Sequence, residues 1–350
     1  MVCLMKPVHP QQAFLKPPAW ADPTQPSTAP SNAAIDCSAL SAVLPPRDEV
    51  LAAARAVDLT SAPDPGAQTL RQAAAAALGV DGAQIFPGAG HRAIFRLLCR
   101  AFLAPGDRVL IAEPTYTWVT EEILAVGAAY IDAGRDQHMC VQTESFARVL
   151  RDQPVRMVFL SDPNPLSGVT VDEALWSLVN ATDALWVVDA TWRSATATVP
   201  EGVATLRDLG LQAGVAGIDA GILLADAETI ATCWQVGRVA GIDAAAEAAA
   251  RAHLGAPDAF DRALNDVIAR HAALGAALEG CAYTQVTQPM GPGLMAGIQG
   301  LQASAVAEQL IAQGLAVRWS RAHTWHDRVT FHLPASVLAD DVLAAWRGVG

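Results

Sequence analysis

Short apolar runs rich in β-branched residues alternate with longer amphipathic or alanine-rich stretches along most of the chain. The short runs predict strands, and the stretches between them predict helices. Because strands that alternate with helices build βαβ units, the pattern predicts an α/β fold with a mostly parallel, wound sheet. The predicted strands are Ala83–Phe86, Arg108–Ala112, Ala128–Asp132, Met157–Ser161, Leu185–Asp189 and Ile222–Ala225.

The predicted helices lie between these strands and continue beyond them. Two alanine-rich helical stretches follow one another from Ala244 to about Glu279. The segment Leu294–Pro334 then alternates strand and helix again, which is typical of a small C-terminal α/β domain. The helices predicted within the sheet region are Thr69–Leu78, His91–Leu103, Val119–Val126 and Val171–Asn180.

Length and local composition divide the chain into three parts. A chain of 350 residues exceeds the usual size of a single core, so a large and a smaller domain are expected. Residues 1–34 contain seven prolines among Gln, Ser and Thr, a composition that cannot hold a regular element for long. We therefore predict a flexible Pro-rich arm at 1–34, a large domain at 35–240, and linking helices with a small domain at 241–350.

Overall charge and hydropathy exclude several classes of partner. The composition is 52% hydrophobic and 17% charged, which describes a well-buried globular protein. A net charge of −12 argues against nucleic acid and anionic membranes as partners. No apolar stretch reaches the roughly 18 residues of a membrane span, and no secretory signal is visible at the start. We expect a cytoplasmic protein.

Polar groups follow several predicted strands, at positions where wound α/β sheets place their functional residues. A glycine turn, Gly88-Ala89-Gly90-His91-Arg92, leads from a strand into a helix. Amide groups at a helix N-terminus and the helix dipole favour an anion there, so Gly90, His91 and Arg92 form a candidate anion site. Taken alone, the turn also fits a plain strand–helix connection.

Three further motifs end predicted strands. Glu113-Pro114-Thr115-Tyr116 follows one strand, and Asp162-Pro163-Asn164-Pro165-Leu166-Ser167-Gly168 follows another. The third is Val187-Val188-Asp189-Ala190-Thr191-Trp192. From about Ile35 onward, these motifs make the chain resemble the fold type I pyridoxal-phosphate enzymes of aminotransferase class I/II. The nearest branch contains the histidinol-phosphate aminotransferases and the cobalamin-pathway threonine-phosphate decarboxylases.

The resemblance implies roles for particular residues. The Gly90–Arg92 turn would cradle the cofactor phosphate, and Asn164 belongs to the turn that contacts the cofactor. Tyr116, or Trp118 beside it, would stack on the cofactor ring, and Asp189 would keep the pyridine nitrogen protonated. In the small domain, Arg318 and Arg328 would grip the substrate carboxylate or phosphate, because a planar guanidinium suits two-pronged anion binding. Of these two arginines we expect Arg328 to make the main contact.

The resemblance fails at the residues that carry the family's chemistry. Gly210–Gly221 overlays the family motif Ser-Lys-x-x-Gly-Leu-Ala-Gly-Leu-Arg-x-Gly without gaps, with Leu211 at the lysine and Asp219 at the phosphate-binding arginine. Pro165 replaces the asparagine that bonds the pyridine hydroxyl, and Ala62 replaces the tyrosine that reaches across the dimer. The chain has only two lysines, Lys6 and Lys16, both in the arm. We therefore expect pyridoxal phosphate to bind non-covalently at most.

The sequence leaves three functions open. The first is a catalytically degenerate or repurposed homologue that keeps a pocket for a small anionic ligand, of amino-acid or phosphate type. The second is an enzyme of different chemistry in the same cleft, with His91 or His323 as acid–base group. The third is an aminotransferase or threonine-phosphate-type decarboxylase that works without a lysine-bound cofactor.

The resemblance and the histidine spacing also lead to expectations about partners and metal ions. The resemblance implies a homodimer or a pairing with an active homologous subunit, which this chain would serve as a ligand-binding partner. The segment His323-x-x-His326 and His332 have loosely metal-like spacing, but no cysteine or carboxylate clusters with them in the sequence. No metal site is expected.

Overall fold

A computed structural model describes residues 33–349 with short gaps, namely 33–40, 43–195, 197, 200–237, 240–282, 284–319 and 327–349. Most of the predicted arm, with Lys6 and Lys16, lies outside the described residues, as do His323 and His326. The strands are β1 (Ile35–Cys37), β2 (Ile85–Gly88), β3 (Arg108–Ile111), β4 (Ala129–Asp132), β5 (Met157–Ser161), β6 (Leu185–Asp189), β7 (Val203–Asp208), β8 (Gly221–Leu224), β9 (Thr284–Val286), β10 (Leu294–Ile298), β11 (Leu315–Val317) and β12 (Val329–Phe331).

Helices connect these strands and cover the sheets. They are α1 (Asp48–Arg55), α2 (Gln68–Leu78), α3 (Gly90–Phe102), α4 (Thr117–Ala125), α5 (Thr143–Asp152), α6 (Glu173–Trp176), α7 (Leu209–Gln212), α8 (Ala227–Gly237), α9 (Ala244–Leu254), α10 (Pro257–Glu279), α11 (Ala303–Ala312) and α12 (Ala339–Arg347). The two helices predicted from Ala244 to about Glu279 are confirmed as α9 and α10.

A seven-stranded sheet forms the centre of the molecule, in the order β2-β8-β7-β6-β5-β3-β4. Four neighbouring pairs, β3–β4, β3–β5, β5–β6 and β6–β7, are parallel. Strand β8 runs antiparallel to both β7 and β2. The prediction of an α/β fold with a mostly parallel sheet is confirmed. Because β2 then runs parallel to β7, the carboxyl ends of all strands of this sheet except β8 lie at one edge.

The central strands are apolar because both faces of the sheet are covered. Every residue of β5 is buried. Phe159 and Val187 pack into the core on one side, whereas Val158 and Trp186 pack into the core on the other. Burial of one large apolar side chain contributes about 1.5–3 kcal/mol, so this double core fixes the strands that carry the polar groups.

The C-terminal part forms a separate small core. Strands β9, β10 and β12 make an antiparallel sheet in the order β12-β10-β9. Strand β1 pairs in parallel with β11, and Cys37 of β1 packs in the same core as α10 and α12. The opening strand, which we assigned to the large domain at 35–240, therefore joins the small domain.

The sequence pattern missed or misjudged some elements. The helix predicted at Val171–Asn180 is only the short α6, followed by a 3-10 turn at Val179–Ala181. The Ser177 hydroxyl donates to the Ala174 carbonyl oxygen at 2.8 Å, and a side chain that competes for backbone groups weakens a helix. Strand β7 was not predicted. Within the described part of the chain, no helix combines the length and apolar character needed to cross a bilayer.

Candidate functional site

Asp189 ends β6 at the edge where the carboxyl ends of six strands lie, and the residue is 2% exposed. One carboxylate oxygen, Oδ1, accepts hydrogen bonds from the Thr191 amide at 3.0 Å and the Thr191 hydroxyl at 2.6 Å. The other oxygen, Oδ2, is buried and accepts no hydrogen bond from any described residue. A carboxylate oxygen held in this state favours a ligand that brings an N–H donor or a positive charge.

His91, in the first turn of α3, forms a buried pair with Asp208 at the end of β7. The His91 Nδ1 atom lies 2.6 Å from Asp208 Oδ2, although the two residues are 117 positions apart in sequence. Burial lowers the pKa of His91, but the charge and hydrogen bond of Asp208 outweigh burial and raise the pKa above its usual value. The carboxylates of Asp189 and Asp219 act in the same direction.

The turn before α3, where we predicted an anion site, faces the protein's own carboxylates. The His91 amide donates to Asp208 Oδ2 at 3.2 Å. A Cβ atom added at Gly90 would lie 3.1 Å from that oxygen and 3.8 Å from Asp219 Oδ1. Arg92 points elsewhere, since it pairs with Glu121 and Glu122 on α4, each at 3.0 Å. Two negative groups thus border the position that the resemblance gives to a phosphate.

Aromatic rings pack around His91. Tyr116 and Trp118 stack with ring centres 5.0 Å apart, and the His91 ring lies 5.3 Å from Tyr116 and 5.0 Å from Trp118. Burial raises the pKa of Tyr116 well above its usual value, and the Asp189 carboxylate raises it further. The indole N–H of Trp192 lowers that pKa, so it lies close to the hydroxyl, but it falls outside hydrogen-bond geometry.

A series of hydrogen bonds holds Thr191 in place. The Gln212 side-chain amide donates to the Thr191 carbonyl oxygen at 2.7 Å, and Gln212 Oε1 lies 3.2 Å from His253 Nε2. Because an amide oxygen only accepts, His253 carries its proton on Nε2, and Nδ1 accepts from Arg47 at 3.0 Å. The Asp208 amide donates to the Thr191 hydroxyl oxygen at 2.9 Å. Thr191 is therefore fixed on both sides.

Asn164 holds its own turn together. Its amide donates to the Pro114 carbonyl oxygen at 2.8 Å, and its Oδ1 atom accepts the backbone amides of Leu166 and Ser167, each at 3.0 Å. These bonds occupy the side-chain oxygen and one of the two N–H groups of the side-chain amide. The turn packs closely on the small domain, since a Cβ atom added at Gly168 would lie 2.3 Å from the Gly293 carbonyl oxygen.

The two candidate arginines of the small domain differ in their surroundings. Arg328 is 5% exposed and donates to the Gln137 carbonyl oxygen at 2.8 Å and to Gln285 Oε1 at 3.2 Å. Arg318 is partly buried, and its guanidinium makes no hydrogen bond or ion pair with another described residue. Burial raises the pKa of Tyr116 and lowers that of His332; the charge of Arg318 opposes the first shift and adds to the second, so Arg318 lies near both groups. Arg318 is therefore the arginine that lies beside Tyr116, and the assignment of Arg328 as the main anion contact stays a prediction.

Leu211 packs as an apolar residue at the family's lysine position. It is partly buried against the cluster that contains Trp192 and Phe260. Its amide donates to Asp208 Oδ1 at 2.8 Å, so the Asp208 carboxylate also begins α7.

Several buried side-chain atoms at this edge make no hydrogen bond with the described residues. Buried polar groups are nearly always paired, so a group of exceptions in one place indicates a place for solvent or a ligand. The atoms are Thr115 Oγ1, Tyr116 Oη, Ser161 Oγ, Asp189 Oδ2 and Trp192 Nε1. Apart from Asp189, all of them can donate a hydrogen bond.

A cavity of about 590 Å³ adjoins this edge of the sheet. Trp192 belongs both to its wall and to the group of unpaired polar atoms. Asp162 and Arg193, which form an ion pair at 2.6 Å, line another part of the wall together with Met290. The volume lies within the range of small-molecule sites, about 300–1,000 Å³. Among the described residues, no group of His, Cys, Asp and Glu is arranged to hold a metal ion.

Some site residues were not predicted. Asp208 lies on the unpredicted strand β7, Gln212 lies in the Gly210–Gly221 motif but was given no role, and His253 belongs to no motif. A signal did exist for Asp208, because it ends an apolar run beside the strand of Asp189, and strand ends of a wound sheet carry functional groups.

The fold and these motifs define the family. The family described as aminotransferase class I and II matches residues 39–338, and the chain belongs to it. The chain is 27% identical over 203 residues to the chloroplastic histidinol-phosphate aminotransferase of Nicotiana tabacum, a match covering 56% of this chain and 49% of that protein. It is 29% identical over 230 residues to the histidinol-phosphate aminotransferase of Roseiflexus castenholzii, covering 62% and 60%. The chain thus spans about half the length of the first of these relatives.

Solved structures show the same fold. Histidinol-phosphate aminotransferase from Sinorhizobium meliloti, in complex with pyridoxal 5′-phosphate, superposes with a TM-score of 0.79 at 20% identity, covering 91% of this chain and 90% of that chain. L-threonine-O-3-phosphate decarboxylase from Porphyromonas gingivalis superposes with a TM-score of 0.72 at 16% identity, covering 89% and 98%. Pyridoxal phosphate is therefore the cofactor against which the residues of this site must be compared.

Proposed function

We propose that this aminotransferase-family protein binds a small zwitterionic ligand, of amino-acid or amino-acid-phosphate type, without a lysine-bound cofactor. The observation that carries the proposal is the group of buried, unpaired polar atoms around Asp189. Asp189 Oδ2 would accept a hydrogen bond from a positively charged or N–H-donating group of the ligand. An acidic group of the ligand would accept hydrogen bonds from the hydroxyl and indole donors beside Asp189. It would also pair with the guanidinium of Arg318, which makes no hydrogen bond or ion pair with another described residue.

The residues present do not fit pyridoxal phosphate as the relatives' resident cofactor. Asp189 could receive a pyridine nitrogen, but Asp208 and Asp219 border the turn that a phosphate would occupy. A phosphate dianion beside two carboxylates in a partly buried place is strongly disfavoured. Residues 35–350 contain no lysine that could bind the cofactor covalently, because Leu211 stands at that position.

Direct binding measurements test this proposal. Suitable probes are L-threonine O-3-phosphate and histidinol phosphate, the compounds in the names of its relatives, together with unphosphorylated amino acids. Calorimetric titration without pyridoxal phosphate is expected to detect saturable binding of at least one zwitterionic probe. Absence of binding for all of them, or binding only after pyridoxal phosphate is added, would overturn the proposal.

An enzyme of different chemistry is the second candidate, favoured by the His91–Asp208 pair. A carboxylate bonded to one imidazole nitrogen orients the ring and stabilises its charged form, which is how acid–base histidines are commonly prepared. In this case turnover of a bound probe would depend on His91. His91→Gln would abolish product formation while the probe still binds.

The assembly is a further part of the proposal. The resemblance favours a homodimer or a pairing with a homologous subunit that keeps its lysine. Light scattering on the purified chain distinguishes a monomer from a dimer, and tagged purification from the native cell tests for a lysine-bearing homologue. A monomer that pairs with no homologue would contradict this part.

A further inference from the structure

We propose that the Asp208 carboxylate is an internal replacement for the phosphate anion at the N-terminus of α3. It would supply, from the chain itself, the negative charge that a helix N-terminus attracts at this place. The consequence is a turn closed to inorganic and organic phosphates. This inference holds whichever ligand the neighbouring cleft takes.

The contacts of Asp208 are those of a bound anion. Its Oδ2 atom accepts the His91 amide at 3.2 Å and faces His91 Nδ1 at 2.6 Å, and its Oδ1 atom accepts the Leu211 amide at 2.8 Å. The carboxylate thus joins the N-terminus of the 13-residue helix α3 to the start of α7. Asp208 is 7% exposed, so water competes little for these donors.

Two carboxylates lie close against the glycine turn. Gly90 has a φ of +78°, and a Cβ atom built on it would lie 3.1 Å from Asp208 Oδ2. Asp219 Oδ1 lies on the same side, 3.8 Å from that Cβ position. Even with His91 protonated, the three charged groups sum to one negative charge, so a second anion would enter against repulsion.

The test is whether removal of the carboxylates opens the turn to phosphate. Serine can still cap α7 through its hydroxyl, so Asp208→Ser removes the charge with the least damage. The double variant Asp208→Ser/Asp219→Asn removes both carboxylates. Thermal melting is followed in inorganic phosphate and in chloride of equal ionic strength, because exposed charges respond to salt alone.

Phosphate salts favour burial in any protein, so the wild-type melting temperature is expected to differ between the two salts only by this general effect. In the double variant, phosphate at ten times its Kd is expected to raise the melting temperature by about 2 °C over chloride. Asp243→Ser is the matched control, because Asp243 caps the N-terminus of α9 through the Ala246 amide at 2.8 Å. This control is expected to gain no more from phosphate than wild type does. Equal stabilisation of wild type and double variant, or none in a folded double variant, would overturn the proposal.

The isosteric variant Asp208→Asn covers the case in which the serine variants do not fold. It keeps the shape of the side chain but removes the charge that His91 faces. The pH titration of the His91 ring, followed by NMR, is expected to move to lower pH in this variant. An unchanged titration would mean that Asp208 does not supply the anion at this turn, and the proposal would fail.

Discussion

The His332 ring ties the small domain to the large one, because its Nε2 atom lies 3.0 Å from the carbonyl oxygen of Pro165. A carbonyl oxygen only accepts, so His332 donates from Nε2. Pro165 stands where the resemblance places the asparagine that bonds the cofactor. At this position the backbone carbonyl oxygen of Pro165 accepts a hydrogen bond from His332, whereas proline offers no side-chain donor for a cofactor.

Three buried histidines predict that the protein loses stability in acid. Burial is the main cause that lowers the pKa of His253 and His332 to about 3 and of His271 to about 4. In the unfolded chain a histidine takes up a proton near pH 6.5, so below this pH the unfolded state binds more protons. The free energy of unfolding should fall by about 1.4 kcal/mol per pH unit for each such histidine.

Urea unfolding between pH 7 and pH 4.5 measures this dependence. His332→Gln keeps a donor for Pro165 but cannot titrate, so its pH dependence is expected to be shallower than that of wild type. His138→Gln removes an exposed histidine and is expected to leave the dependence unchanged. A wild-type stability that stays level from pH 7 to pH 5 would contradict the burial of neutral histidines.

Gln212→Ala is expected to lower the free energy of unfolding because it removes hydrogen bonds within the protein, not contacts with a ligand. The change leaves the Thr191 carbonyl oxygen and the His253 Nε2–H group without partners. Each buried group left unpaired costs about 1–3 kcal/mol. Gln302→Ala, at an exposed position before α11, is the control and should change the free energy of unfolding by less than about 0.5 kcal/mol. Equal effects of both variants would mean that the hydrogen-bond chain is not formed.

Arg318→Ala and Arg328→Ala are expected to separate ligand binding from stability. Arg318 has no hydrogen-bond partner for its guanidinium among the described residues, so its loss should weaken binding of a zwitterionic probe by about ten- to a hundredfold. Arg328 holds Gln137 and Gln285, so its loss should mainly lower the melting temperature. Calorimetric titration and thermal melting of both variants check this. Weaker binding in Arg328→Ala alone would instead support the sequence-based prediction that Arg328 makes the main contact with the anion.

Leu211→Lys is not expected to recover a stably bound cofactor. The new amine would enter an apolar cluster beside Trp192 and Phe260, and Asp208 would still border the phosphate position. Pyridoxal phosphate added to this variant should be removed by gel filtration, as judged by absorbance. Combining it with Asp208→Ser and Asp219→Arg is expected to improve retention. Stoichiometric retention of pyridoxal phosphate by Leu211→Lys alone would show that the Gly90–Arg92 turn still accepts the cofactor phosphate.

The predictable parts of this protein follow from local sequence patterns. Apolar runs such as Met157–Ser161 and Leu185–Asp189 identified the central strands, since a strand buried on both faces reads as a continuous apolar run. The same patterns located Asp189 and the glycine turn at strand ends. Strand β7 was missed because it ends in Arg207 and Asp208, polar residues that usually mark a loop but are buried here.

Long-range pairing could not be predicted from the sequence. The choice of Asp208 as the partner of His91 depends on which strands become neighbours in the sheet, and no local pattern reports it. The same holds for Arg318 and Arg328, which lie on similar motifs but contact different groups. Sequence comparison located the lost lysine and Asp219, whereas the structure was needed to find that Asp208 also borders the phosphate position.

Asp189→Asn tests the central claim most directly, because it changes one buried charge at the proposed ligand site. The side-chain oxygen of the introduced asparagine can still accept from Thr191, and a neutral amide removes the unpaired buried charge. The ligand-free variant should therefore be at least as stable as wild type. Calorimetric titration with L-threonine O-3-phosphate or histidinol phosphate should show binding at least about tenfold weaker than in wild type. Unchanged affinity in a folded Asp189→Asn variant would contradict the account, because the ligand would then not contact the group that defines the site.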